Sequence, residues 1–171
     1  MSILGFLSPR RRRVNRRRMT GRAVYNRLAE RTTALVESGE LGLDDDFALR
    51  FEVAVLLATG TLFQWRVSGK DDPDLAQAFW EEVFEGFDHS LRQRGVTDVR
   101  MAARMRKVLV HGTGRRKAYL TALESRDKNA LREAIGRNVL NDAPGEDPRV
   151  DRLLDALDQA AHEAESELGE S

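Results

Sequence analysis

The sequence predicts an all-α fold, a single compact bundle of about six helices behind a basic N-terminal arm. Three observations predict it. Apolar residues recur at spacings of three and four in one segment after another, and no stretch alternates apolar and polar with the period of a strand. Only four prolines occur, and all lie before, between or at the start of those segments. The breaks between segments carry the glycines and short polar runs that end helices. At 171 residues one domain is expected. It divides into an arm at 1–20, a helical domain at 21–142, and a linker with a C-terminal acidic helix at 143–171, packing on or extending the domain.

The first helix is predicted at 21–37, with Val24, Leu28 and Leu35 inward and Ser38-Gly39 as its stop. Asp44, Asp45 and Asp46 precede the second helix, at 47–67, and supply its cap. That helix is apolar round most of its circumference, from Phe47 to Trp65, which places it in the middle of the bundle. Its most apolar run, 53–63, falls short of the roughly 20 residues that span a bilayer. Pro73 suits the first turn of the third helix, at 74–94, where its missing N–H would be unpaired anyway. Phe79, Val83, Phe84, Phe87 and Leu91 form that helix's apolar stripe.

Gly95 stops the third helix and Asp98 caps a fourth, running from 99. Met101, Met105, Val108 and Leu109 line one side of it, beside a basic stripe of Arg100, Arg104, Lys107, His111 and Arg115. Gly112 and Gly114 predict a kink or a close approach of another backbone. The stripe reads first as a solvated face pairing with acids on the third helix, and second as a docking surface for acidic groups. A short fifth helix at 128–140 and a last helix carrying Val150, Leu153, Leu154 and Leu157 complete the bundle.

Charge is balanced, with 28 Lys and Arg against 28 Asp and Glu, so no global field selects a partner class. Its distribution is uneven. Arginine crowds the start, while Glu163, Glu165, Glu167 and Glu170 crowd the end, which points to a contact surface of one sign. The absence of cysteine excludes disulfides, thiolate metal sites and cysteine nucleophiles. His89, His111 and His162 are scattered without metal-ligand spacing, and Gly112-Thr-Gly-Arg-Arg-Lys lacks P-loop spacing, so no metal or cofactor is expected.

The arm joins an apolar tip, Ile3, Leu4, Phe6 and Leu7, to seven arginines. Its charges follow the apolar residues, unlike those of a secretory signal. Mutual repulsion and the helix dipole predict a mobile segment. Phe6 and Leu7 with Arg10, Arg11, Arg12, Arg13, Arg16, Arg17 and Arg18 form the expected membrane- or phosphate-binding group.

FDHSLRQRGVTDVRMAARMRKV followed by GRRKAY resembles the signature stretch of the ubiquinol–cytochrome c reductase chaperones. The matching positions are Asp88, Leu91-Arg92, Gly95-Val96, Arg106-Lys107, Gly114-Arg115 and Tyr119. Residues 50–66 resemble the family's preceding apolar helix, and Leu131 to Ala134 with Arg137-Asn138 its next one. Where the family often has aromatics before the Gly-Arg, this chain has Gly112-Thr113. The resemblance spans about 21–141, leaving the arginine-rich start and the acidic last helix outside.

The resemblance implies an all-α, non-enzymatic assembly chaperone that binds newly made cytochrome b for the bc1 complex. Its place would be the cytoplasmic face of a bacterial inner membrane, or the matrix side in a mitochondrion. Trp80, Asp88, Arg92, Arg115 and Tyr119 are the expected client contacts. Partners would be cytochrome b or a bc1 intermediate, an anionic membrane surface through the arm, and in some settings the ribosome, but not DNA. The main alternative is an RNA- or ribosome-binding helical module using the arginines. An enzyme such as an isoprenoid synthase would need a second acidic cluster to face Asp44-Asp45-Asp46 or Asp71-Asp72.

Overall fold

A computed structural model describes residues 9–93 and 98–169, with the side chains of all of these except 9, 10, 12, 98–109, 111 and 169. Among the described residues there are six helices and no strands: α1 Pro9–Glu37, α2 Phe47–Val67, α3 Pro73–Gln93, α4 Asp98–Ser125, α5 Lys128–Val139 and α6 Pro148–Gly169. The fold is the expected all-α bundle. Asp46 caps α2, its carboxylate accepting from Leu49 N–H at 2.8 Å. Asp127 does the same for α5 through Ala130 N–H at 2.9 Å. Pro73 opens α3, and Asp72 Oδ1 accepts from Asp74 N–H at 3.0 Å.

Helix α2 is the axis. Every residue from Val53 to Thr61 is buried, and α1, α4, α5 and α6 pack around it. Its flanking apolar residues lengthen the 53–63 run, so the 21-residue helix is in fact long and apolar enough to cross a membrane by length and composition. Here it is a core helix instead. The two most extensive seams are α2 with α6 and α1 with α3. In the first, a Cβ on Gly60 would lie 2.6 Å from Leu157 Cδ1, and Trp65 Nε1 donates to the Ala164 carbonyl at 3.3 Å. In the second, a Cβ on Gly21 would lie 3.0 Å from the Phe79 backbone nitrogen. Aromatic rings bridge α2 and α3: Trp65 against Phe79 at 5.5 Å and Phe51 against Phe87 at 5.1 Å between centroids.

The bundle departs from expectation in three places. Helix α1 begins at Pro9, not at residue 21, so the described part of the arm is helical and continuous with the domain. Arg17 explains part of this. It pairs with Asp72 at 2.8 Å and also with Asp74, and Arg18 lies 3.7 Å from Glu82, so carboxylates on α3 and the turn before it offset the repulsion among cations. Helix α4 is unbroken through Gly112 and Gly114. A side chain makes the close approach there, for Phe51 Cζ sits 3.2 Å from where a Gly112 Cβ would be. Three of the four glutamates at the acidic end make contacts within the bundle, while Glu170 lies outside the described residues: Glu163 pairs with Arg31, Glu167 with Arg27, and Glu165 accepts from Gln64 at 2.9 Å. Residues 1–8, with Phe6 and Leu7, and the turn containing Gly95 lie outside the described residues.

Candidate functional site

A polar cleft of about 410 Å³ opens where four segments meet: the loop before α2, the first turns of α2, the middle of α4 and the end of α5. Asp44 and Asp46 stand exposed at its edge, with Glu52, Arg115, Asn138 and Asn141 lining it. Local sequence shapes each wall. Gly42 takes a left-handed φ of +60°, which turns the chain towards the α2 cap. Asn141, at φ 55°, ends α5 in the same region of backbone space, where asparagine is among the better tolerated residues.

At the floor, Glu52 of α2 and Arg115 of α4 form an ion pair, with side chains only 12% and 26% exposed. Burial pushes the Glu52 carboxyl up to about 7, and the Arg115 guanidinium, which pulls the other way, does not offset it. One turn on from Arg115, Tyr119 is fully buried in the core. Its hydroxyl lies near Asn138, Glu52 and Arg115 but makes no hydrogen bond of normal geometry. Burial raises the Tyr119 pKa, and Asn138 opposes that rise. Arg115 was read first as one of a stripe pairing with acids on α3; it turns to α2 instead. The side chains of Arg100, Arg104, Lys107 and His111 lie outside the described residues.

Trp80 occupies a separate place, on the α3–α4 side. It is half-buried, stacks on Phe84 with centroids 5.5 Å apart, and carries the Arg116 guanidinium 5.5 Å from its ring centre. Its indole N–H is buried without a partner. Asp88 and Arg92 pair with each other one turn apart on α3, at 2.7 Å. The five residues expected to act together therefore fall into three groups: Arg115 with Tyr119, Trp80 with Arg116, and Asp88 with Arg92. Of the arm, Arg13 and Arg16 are exposed, while Arg17 and Arg18 face carboxylates on or beside α3. The side chains of Arg10 and Arg12 lie outside the described residues, and Arg11 is engaged elsewhere in the protein.

Residues 39–167 match the family described as Ubiquinol-cytochrome C chaperone. The chain belongs to that family. Searches of curated proteins and of solved structures give no further match. The chaperone match begins just before the loop that edges the cleft and reaches almost to the end of α6. It therefore includes the acidic last helix, which the sequence resemblance left outside, and α6 is bound to α2 along one of the two main seams. All four walls of the cleft lie in the family region, whereas all of α1, with its arginines, lies before it.

Two cleft residues, Glu52 and Asn141, escaped sequence reasoning, and Asn138 entered it only through the family resemblance. Glu52 had a legible signal, as the only acid in a largely apolar 21-residue helix. A lone carboxylate there requires a partner or a job. Asn141 had no such signal, because asparagine just past a helix end reads as an ordinary stop.

Proposed function

We propose that this chain is a non-enzymatic assembly chaperone that holds newly made cytochrome b until it enters the ubiquinol–cytochrome c reductase complex. The observation that carries the reading is the family match across α2 to α6, the region that forms most of the core and every wall of the polar cleft. A holding role needs surfaces that bind an immature membrane protein better than the assembled one. Two surfaces here suit such a client. The cleft would meet polar loops. The partly exposed Trp80 and Phe84 under Arg116 would meet apolar segments, with an unpaired indole N–H nearby.

The place of action follows from the client. It is the cytoplasmic face of a bacterial respiratory membrane, or the matrix face in a mitochondrion. The exposed Arg13 and Arg16 at the start of α1 support attachment to an anionic surface, each worth roughly 1 kcal/mol near such a membrane. Deleting the gene tests the reading. Loss of bc1 activity together with loss of the reduced-minus-oxidised heme b spectrum, both restored by the full chain, is expected. Normal assembly in the deletion strain overturns it. Liposome flotation against ribosome co-sedimentation, each with Arg13 and Arg16 replaced by glutamine, separates membrane attachment from an RNA-binding role.

A further inference from the structure

We infer that the cleft takes up one basic side chain, an arginine or lysine from a cytoplasmic loop of the client, between Glu52 on its floor and Asp44 and Asp46 at its mouth. The source of that side chain rests on the chaperone reading; the preference for a cation rests on the cleft alone. Three carboxylates line it against one guanidinium. Asn138 and Asn141 add side-chain carbonyl acceptors, and Val139 places the C-terminal end of α5, the negative pole of its dipole, on the same wall.

Tyr119 supplies an independent indication. Its side chain is fully buried, yet its hydroxyl, with Asn138 beside it as a partner, makes no hydrogen bond of normal geometry; Asn138, Glu52 and Arg115, the polar groups acting on it, all line the cleft. A buried hydroxyl without a well-formed hydrogen bond is costly unless it has one in another state of the protein. A multi-donor cation seated over Glu52 provides it. Among the described residues no group of three His, Asp or Glu is arranged to hold a metal ion, so spaced carboxylates suit an extended organic cation better than a compact one. A client of the inner membrane carries such groups on the correct side, because cytoplasmic loops of membrane proteins are enriched in lysine and arginine.

The test uses the full chain, ¹⁵N-labelled, titrated with peptides copied from the cytoplasmic loops of cytochrome b from the same organism. Each peptide is paired with a version whose lysines and arginines are glutamine. N-acetyl-arginine amide and N-acetyl-lysine amide serve as minimal probes that rank the two cations. Native peptides should shift the amides of Gly42, Ala48, Asn138 and Asn141, and the glutamine versions should not. Glu52→Gln should weaken binding about tenfold, as loss of one charge-assisted hydrogen bond does, and Asp44→Asn about threefold. Asp44 is solvent-exposed, so that variant keeps the test sound if Glu52→Gln unfolds in a circular dichroism melt. The inference is overturned if native peptides do not bind, if glutamine peptides bind equally, or if the shifts map elsewhere. Capture of cytochrome b in cells separates the two readings. Equal capture by wild type and Glu52→Gln overturns the cleft and leaves the chaperone. No capture by wild type sinks the chaperone, while the peptides still decide the cleft.

Discussion

Two regions of this protein bring arginines to carboxylates, with opposite consequences. On the α1–α3 flank, Arg17 meets Asp72 and Asp74 with side chains 27%, 35% and 71% exposed. In the cleft, Arg115 meets Glu52 where the carboxylate is only 12% exposed. Water screens the first arrangement, so it costs little to form and yields little. The second has lost most of its hydration, and the carboxylate is pushed towards neutrality despite its partner. The flank uses charge to set where α1 lies on α3. The cleft holds charge at a cost to stability, as expected of groups kept for binding.

The largest effect should come from Tyr119. Tyr119→Ala empties a fully buried ring site and should cost roughly 3–5 kcal/mol in urea unfolding. Tyr119→Phe removes only the unbonded hydroxyl and should be neutral or stabilising by up to about 1 kcal/mol. A loss above about 1 kcal/mol for the phenylalanine variant would mean that the hydroxyl supports the fold. The contrast between cleft and flank would then weaken.

Next is the pH dependence of Glu52. Its carboxyl titrates near 7 in the folded protein, against an ordinary value of 4.5. The folded state thus holds the proton more tightly than the unfolded chain. Its contribution is fully present below about 4.5 and is lost as pH rises through about 7, a change of up to roughly 3 kcal/mol. Unfolding of wild type and Glu52→Gln, compared at steps from pH 4.5 to 8, should isolate that term, since the other carboxylates are common to both. Stability curves that run parallel over this range would show that Arg115 keeps Glu52 ionised throughout.

A smaller effect tests what joins α1 to α3. Gly21→Ala places a methyl 3.0 Å from the Phe79 nitrogen and 3.2 Å from the Ala78 carbonyl carbon, backbone atoms that cannot rotate away. Overpacking should cost roughly 1–3 kcal/mol. Better helix propensity returns about 1 kcal/mol. A net gain in the melting temperature would show that the seam is looser than its geometry.

Much of this was legible in the sequence. Apolar periodicity located all six helices, and Asp46 and Pro73 marked two helix starts, because these signals are local. The start of α1 was not legible: it depends on Asp72 and Asp74, more than fifty residues away, meeting Arg17. The unbroken α4 was hidden for the same reason, since the partner of Gly112 is Phe51 on another helix. Arg115 and Tyr119, two of the five expected client contacts, stand one turn apart on α4, but the carboxylate beside them lies in a helix read only as core. Trp80, Asp88 and Arg92 share a helix with one another but no common site, which spacing along the chain cannot reveal.

The smallest expected effect belongs to Arg17→Gln, and it bears most directly on the comparison. Both of its carboxylate partners are substantially solvated, so the lost pairing should lower global stability by less than about 1 kcal/mol. The local effect should be larger than the global one. Without Arg17, Arg18 still faces carboxylates on α3, at 3.7 Å from Glu82 and 3.8 Å from Glu85, both longer than the Arg17 contacts. Trypsin should then cut sooner after Arg13 and Arg16, which are exposed in the intact helix. Salt offers a check without mutation, since a Debye length of about 3 Å at 1 M screens solvated pairs far more than buried ones. Wild type in 1 M salt should be nicked like the variant, while its urea midpoint stays close to the low-salt value. A loss above about 2 kcal/mol for Arg17→Gln, insensitive to salt, would place the flank in the same energetic class as the cleft.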